Sequence, residues 1–350
     1  MKVLARTATL ELAEPFTISR GTTETTDVVY VEIEHEGQIG YGEATPIDRY
    51  DQTAETALAY IEEHGDKLGD DPWGLEEIES RLPQEQFAAR AGIDAALHDL
   101  QGKLAGIPVW RLLGLRRAGP PTSWTIWLGD PDDMARRAEK VGGRFKRLKL
   151  KLGGGDGLDV ERVRAVRGVS EVPLQVDVNE FWSLDEALEA IPQLQELGVE
   201  YCEQPLPAGD PRGPELKSRS PLPIYVDEDL HTLADVPACA ERAHGLTVKL
   251  AKSGGIREAV RIAHAGRALG LGLMLGCMNE SGLAVSAGAQ VASLFDHVDL
   301  DGNLLLAEDP WPGVELVDGV QLPSEDPGLG VSPASRTWAV AGGSGPEGTV

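Results

Sequence analysis

The sequence predicts an α/β fold in which an α+β capping domain precedes a (β/α) barrel. Three observations carry the prediction. From about residue 120 onward, short apolar runs alternate with amphipathic stretches of helical period, the rhythm of parallel βαβ units. Eight such runs fit into roughly 180 residues, the strand number of a closed barrel. An open doubly wound sheet would carry a Gly-rich phosphate loop after its first strand. Here the first run leads into "WLGDPDD", and "LGGGDG" at 152–157 lacks that fingerprint spacing and reads as a βα loop.

The elements follow in order. "VLARTATLEL" and "DVVYVEIEHEGQIGYGEA" alternate like strands, and the second holds the hairpin signal "EHEGQ". Helices are predicted at 52–64 and 86–105, the latter stopping at Gly106 before Pro108. "RRAGPPTS" at 116–123 is a linker by composition. Barrel strands are expected at 123–127, 146–152, 173–178, 199–203, 223–227, 246–250, 271–276 and 298–301. Helices are expected between them, near 131–141, 159–167, 183–197, 232–242, 256–269 and 281–294, with a proline-weakened one near 213–219. The expected domains are therefore a capping domain at 1–115, a barrel at 120–302 and a Pro/Gly-rich segment at 303–340 that returns to the capping domain. The tail 341–350 is expected to be disordered.

Composition excludes several classes. The 350 residues carry 57 acidic against 32 basic side chains, a net charge of −25, which argues against nucleic acid and anionic membranes as partners. No apolar run approaches the length of a membrane span, and the N-terminus lacks the apolar core of a secretory signal, so a cytoplasmic location is expected. Cys202, Cys239 and Cys277 are widely separated and suit neither a zinc site nor a disulfide framework. Oligomeric state is open. Lysines are scarce, 10 in all, yet they cluster: Lys146, Lys149 and Lys151, then Lys249 and Lys252. In "KRLKLKL" the leucines alternate with Lys149 and Lys151, so one face of that strand carries ammonium groups.

The strand ends sharpen this pattern. Successive candidate strands end in Lys149 and Lys151, then Asp177, Glu203, Asp227 and Lys249; Asp299 and Asp301 sit on the last strand. In a barrel all these ends meet at one rim, where active sites form. Three neighbouring carboxylates repel unless neutralised, and an oxygen-only set suits a hard divalent cation, Mg²⁺ before Mn²⁺. Zinc would recruit His or Cys. Lysines on opposite sides of such a cation, their pKa lowered by neighbouring cations, the metal and partial desolvation, could take an α-proton from a carboxylate substrate and return one to the other face. That is a 1,1-proton transfer through an enediolate, an epimerisation or racemisation.

Taken together, "PFTISRG", "GYGEATPIDRY", "KLKL", "VDVNE", "EQPLP", "VDED", "VKLAKSGG" and "LGCMNES" resemble, in order and spacing, the enolase superfamily. Within it they resemble the muconate-lactonizing subgroup and its dipeptide epimerases of the L-Ala-D/L-Glu type. The resemblance implies an enolase-type modified TIM barrel with specificity loops near 16–24 and 45–52. It implies Lys151 and Lys249 as acid/bases with Lys149 tuning its neighbour, and Asp177, Glu203 and Asp227 as ligands of one Mg²⁺, which Mn²⁺ could replace. It further implies that Asp299 and Asp301 hold a dipeptide α-ammonium, that Arg20 meets the side-chain carboxylate of a second-residue Glu, and that Thr125 and Met278 line the pocket. Arg49 is a second candidate for that acidic end. Murein-peptide metabolism follows only by analogy.

Rival readings are other enzymes of the subgroup: a cycloisomerase, an o-succinylbenzoate synthase or an N-acylamino acid racemase. A class I aldolase would need no acid trio. A sugar-acid dehydratase would place a His on the seventh strand, where "LMLGCMN" has none.

Overall fold

A computed structural model describes residues 1–334 of the chain. The first unit is an antiparallel meander of β1 (Lys2–Ile18), β2 (Gly21–His35) and β3 (Gln38–Ala44). It is followed by α1 (Ala54–His64), α2 (Leu75–Arg81), α3 (Phe87–Ala105) and α4 (Val109–Leu112). Thr53 and Thr56 form a capping box at the start of α1, and Gly106 closes α3 at φ 70°. The inward face of β2, with Val29, Val31 and Ile33, buries against Ala89, Ile93, Ala96 and Leu100 of α3. Contact is so close that a Cβ on Gly40 or Gly42 would stand 2.0 Å from a carbonyl oxygen of that helix, which is why "GYG" occupies the strand there.

The second unit alternates strand and helix. It runs β4 (Trp124–Ile126), α5 (Pro131–Val141), β5 (Leu148–Lys151), α6 (Asp159–Val169), β6 (Leu174–Asp177), α7 (Leu184–Glu196), β7 (Val199–Glu203) and α8 (Gly213–Arg219). It continues with β8 (Ile224–Val226), α9 (Val236–Arg242), β9 (Gly245–Lys249), α10 (Leu250–Ser253), α11 (Ile256–Ala268), β10 (Gly272–Gly276), α12 (Gly282–Val291) and β11 (His297–Asp299). The eight strands are parallel and ordered by sequence. A parallel bridge from Thr122 to Val298, with Ser123 N donating to Val298 O at 2.9 Å, joins the last strand to the first. The predicted barrel is the observed one, strand for strand.

Sequence reading missed α2 and the single turns α4 and α10. It also began one helix too early, because 233–235 form a tight 3₁₀ turn before α9. Each of these pieces spans under two turns, too short for a 3.6-residue period to show. Leu148, Leu150 and Leu152 do face outward, joining Val163 and Val166 of α6 in a buried cluster.

After the barrel, β12 (Glu315–Val317) and β13 (Val320–Leu322) form a hairpin against residue 122. Trp311 reaches the capping sheet, its ring 5.3 Å from Tyr30 and 5.1 Å from Tyr41. The tail expected to be disordered, 341–350, lies outside the described residues.

Candidate active site

Parallel strands bring their C-terminal ends to one rim, and the charged residues of the strand ends meet there. Lys149, Asp177, Glu203 and Asp227 are at most 1% exposed; Lys151 and Lys249 are 7% exposed. Thr125, Lys151, Asp227, Lys249, Met278, Asp299, Asp301 and Arg20 line one cavity of about 210 Å³, roofed by Phe16, Ile18, Ile47 and Tyr50 of the capping domain. Lys149, Asp177 and Glu203 lie behind the cavity wall, fully buried.

The ion pairs are short. Lys149 Nζ stands 2.7 Å from Glu203, 2.8 Å from Asp299 and 3.4 Å from Asp177. Lys151 Nζ donates to Asp177 Oδ2 at 2.6 Å, and Lys249 Nζ is 3.0 Å from Asp227 Oδ2. Asp299 also accepts from Ser123 Oγ at 2.9 Å, and Asp301 from the Thr125 N–H at 2.6 Å.

These contacts set the titrations. Burial disfavours the charged form of Lys149, but Asp299, Glu203 and Asp177 outweigh it and raise its pKa well above the ordinary value. Lys249 rises likewise, with Asp227 overcoming burial. Acidic strand ends are the nearest partners of both ammoniums and hold their protons in place. Asp177 falls to about 2, where Lys151 and Lys149 overcome burial. Glu203, buried and beside Asp177, rises to about 8. Asp301 rises to about 7 from burial and the charge of Asp299.

A cation would find oxygen donors. Asp177, Glu203 and Asp227 offer no other atom type, and both buried Glu203 oxygens lack an aligned hydrogen-bond donor. Among the described residues no three acidic, His or Cys side chains gather around one point as they stand. Each carboxylate is held by a lysine, so an ion would replace ammonium contacts. The donor set fits a hard divalent cation.

Residues 1–114 match the mandelate racemase/muconate lactonizing enzyme N-terminal domain, and residues 133–337 the enolase C-terminal domain-like family. The chain belongs to the enolase superfamily. Among its superfamily relatives, the L-Ala-D/L-Glu epimerase of Bacteroides thetaiotaomicron is 38% identical over 92% of this chain and 85% of its own length. A hydrophobic dipeptide epimerase of a Flavobacteria bacterium is 36% identical over 94% and 97%. The dipeptide epimerase of Enterococcus faecalis V583, solved with Mg and L-Leu-L-Tyr, superposes with a TM-score of 0.91 at 32% identity, covering 95% of this chain and 99% of that one.

This superfamily member also departs from its sequence reading. Arg20 reaches the cavity, yet its Nη1 donates to Glu228 at 2.8 Å, Glu180 at 3.2 Å and the Asn179 carbonyl at 3.2 Å. Arg49 is absent from the cavity wall and pairs with Glu180 at 2.9 Å. Glu228, equally readable as a solvated loop residue, is 4% exposed. Gln204 was overlooked: its Oε1 accepts the N–H groups of Asp227 and Glu228 at 2.8 and 3.0 Å. Its place between Glu203 and a proline was the available signal.

Two more acids sit where the capping domain meets the loop after β10. Glu43 accepts from Ser281 N at 3.0 Å and Thr45 Oγ1 at 3.1 Å. Burial pushes Glu43 up to about 7, and burial with Glu43 nearby pushes Glu280 up to about 8. A carboxyl raised in the folded state keeps its proton there while the unfolded chain has lost it. Stability therefore falls as pH rises above about 4.5 and is fully reduced above about 8, at up to roughly 1.4 kcal/mol per pH unit per group. Thermal denaturation at pH 6 and pH 9 should show a lower Tm at pH 9. Glu280→Gln should shrink the difference; an unchanged difference would contradict the assignment.

Proposed function

We propose that the protein is a divalent-cation-dependent dipeptide epimerase inverting the α-carbon of the second residue. One observation carries the reading: Lys151 on β5 and Lys249 on β9 enter one cavity from opposite sides of the barrel, with Asp177, Glu203 and Asp227 on the strands between. The relatives named above are epimerases of dipeptides, and a structural neighbour holds Mg with its dipeptide.

Asp177, Glu203 and Asp227 would hold Mg²⁺, with Mn²⁺ as a substitute. Bound there, the cation would make the α-proton of a substrate carboxylate more acidic. With the carboxylates so engaged, Lys151 and Lys249 would be released from Asp177 and Asp227 to face the substrate. One lysine then takes the α-proton, giving a planar enediolate, and the other delivers a proton to the opposite face. Lys149, still paired with Asp299, keeps positive charge beneath the reacting carboxylate. Asp299 and Asp301 hold the dipeptide α-ammonium, with the N–H of Thr125 orienting Asp301; Met278 forms the wall.

Incubating a dipeptide library in D₂O with Mg²⁺ should place one deuterium at the second residue's α-carbon, read by mass spectrometry. EDTA should remove the activity and Mg²⁺ restore it. No incorporation from any dipeptide would sink the reading. L-Ala-D/L-Glu is the expected substrate, with Arg20 meeting its side-chain carboxylate in exchange for the contact with Glu180. Arg20→Met should then cut kcat/KM about tenfold more for L-Ala-L-Glu than for L-Ala-L-Leu, an ion pair of about 1.4 kcal/mol. Equal losses would remove Arg20 from recognition. Placement in murein-peptide metabolism and the cytoplasm rests on substrate class and composition.

A further inference from the structure

Lys252 takes no part in the mechanism above, yet it is among the largest fully buried side chains of the protein, 1% exposed. It is absent from the cavity wall. Its Nζ lies in close ion pair with Asp227 Oδ1, donates a short hydrogen bond to the Asp227 carbonyl, and donates to the Leu230 carbonyl at 3.0 Å. Two carbonyls accept its protons and Asp227 Oδ1 balances its charge, so protein groups surround it. Lys249, in contrast, lines the cavity and faces the other oxygen, Asp227 Oδ2. The two carboxylate oxygens thus have different neighbours: Oδ1 is ion-paired to the buried Lys252, and Oδ2 turns to the site.

The backbone of Asp227 is held as firmly. Gln204 sits at φ 35°, a left-handed conformation costly for a side-chain-bearing residue. Its Oε1 grips the N–H groups of Asp227 and Glu228, while its Nε2 donates to Leu206 O at 2.9 Å and Asp229 Oδ2 at 2.8 Å. Asp229 is itself fixed by Arg242 at 2.6 Å.

We infer that Lys252 is a positioning residue that confines Asp227 to one-oxygen coordination and so makes the site select Mg²⁺ over Ca²⁺. The inference rests on the reading of the acid trio as a cation site. Mg²⁺ accepts six single oxygens in a tight octahedron. Ca²⁺ is larger, takes six to eight oxygens and gains from two-oxygen carboxylates. With Oδ1 held by Lys252, Asp227 cannot close both oxygens on an ion. Releasing Oδ1 supplies the further ligand that Ca²⁺ uses.

Metal-stripped protein without substrate is titrated with Mg²⁺ and with Ca²⁺ by calorimetry, for the wild type, Lys252→Met and Lys252→Gln. The wild type should bind Mg²⁺ more tightly than Ca²⁺. In the variants the ratio of the two Kd values should move toward Ca²⁺ by roughly tenfold or more, the scale on which residues behind metal ligands act. A general loss of folding quality would weaken both ions alike and leave the ratio in place. The inference is overturned if the wild type shows no Mg²⁺ preference, or if a folded variant keeps the wild-type ratio. Where neither variant folds, the wild-type preference decides. Wild-type protein that binds neither ion would instead bring down the cation site itself.

Discussion

Lys151→Ala and Lys249→Ala should each abolish epimerisation while leaving different residual chemistry. The two ammoniums enter the cavity from β5 and β9, with β6, β7 and β8 between them on the barrel wall. Inversion needs one group to remove the α-proton and a second, across the substrate, to deliver one. General acid–base groups contribute about 10²–10⁴-fold each. On the two-base proposal every turnover uses both lysines, so loss of either should fall at the upper end, about 10⁴-fold. The remaining lysine still faces one configuration of the substrate. It should exchange that α-proton with D₂O without inverting the centre, and the two variants should exchange opposite isomers. Proton NMR of the L,L and L,D dipeptides reads both events. Lys151→Ala leaves Asp177 within 3.4 Å of Lys149, and Lys249→Ala leaves Asp227 paired with Lys252, so neither carboxylate is stranded and both variants should fold. Full activity in either variant would refute the two-base assignment. Exchange of the same isomer by both would place the lysines on one face.

Much of this arrangement is legible in the sequence because barrel geometry converts order along the chain into position around a rim. Period-two alternation in "KRLKLKL" places Lys149 and Lys151 on one face, and Leu148, Leu150 and Leu152 do bury beneath the helices. Lys249 could be paired with them because strand count gives angular position. Three-dimensional closure decides the remainder. Arg20 belongs to a strand turn 160 residues from Glu180 and 208 from Glu228, and no local pattern announces those partners. Glu228 looks like any loop acid until burial is known. The partners of Lys149 also escape sequence: Lys151 is its neighbour on one strand, but the carboxylates of β6, β7 and β11 close around its ammonium.

Asp301→Asn should cost about 100-fold in kcat/KM for dipeptides bearing a free α-ammonium, chiefly through KM. The two acids at the end of β11 are not equivalent. Asp299 is already committed, 2.8 Å from Lys149 and accepting from Ser123. Asp301 accepts from the uncharged Thr125 at 2.6 Å and forms no ion pair among the described residues, so its negative charge is the one left for a substrate cation. A hydrogen bond to a charged partner contributes about 1.5–3 kcal/mol, and a hundredfold loss is about 2.7 kcal/mol. Asn keeps an acceptor for Thr125, so the change removes charge rather than shape. The pH dependence supplies a second signature. Burial and Asp299 raise Asp301 to about 7; below that pH it is protonated and neutral, so dipeptide binding should weaken as pH falls through about 7. An arriving ammonium favours the ionised form and pulls the titration downward, so the limb should appear in kcat/KM and fade in kcat. In Asp301→Asn the limb should vanish. N-acetylated dipeptides, which carry no cation there, should be poor wild-type substrates and change little in the variant. Equal losses for free and acetylated substrates would detach Asp301 from ammonium recognition and favour the N-acylamino acid racemase reading, whose substrates bring an amide to this end of the cavity.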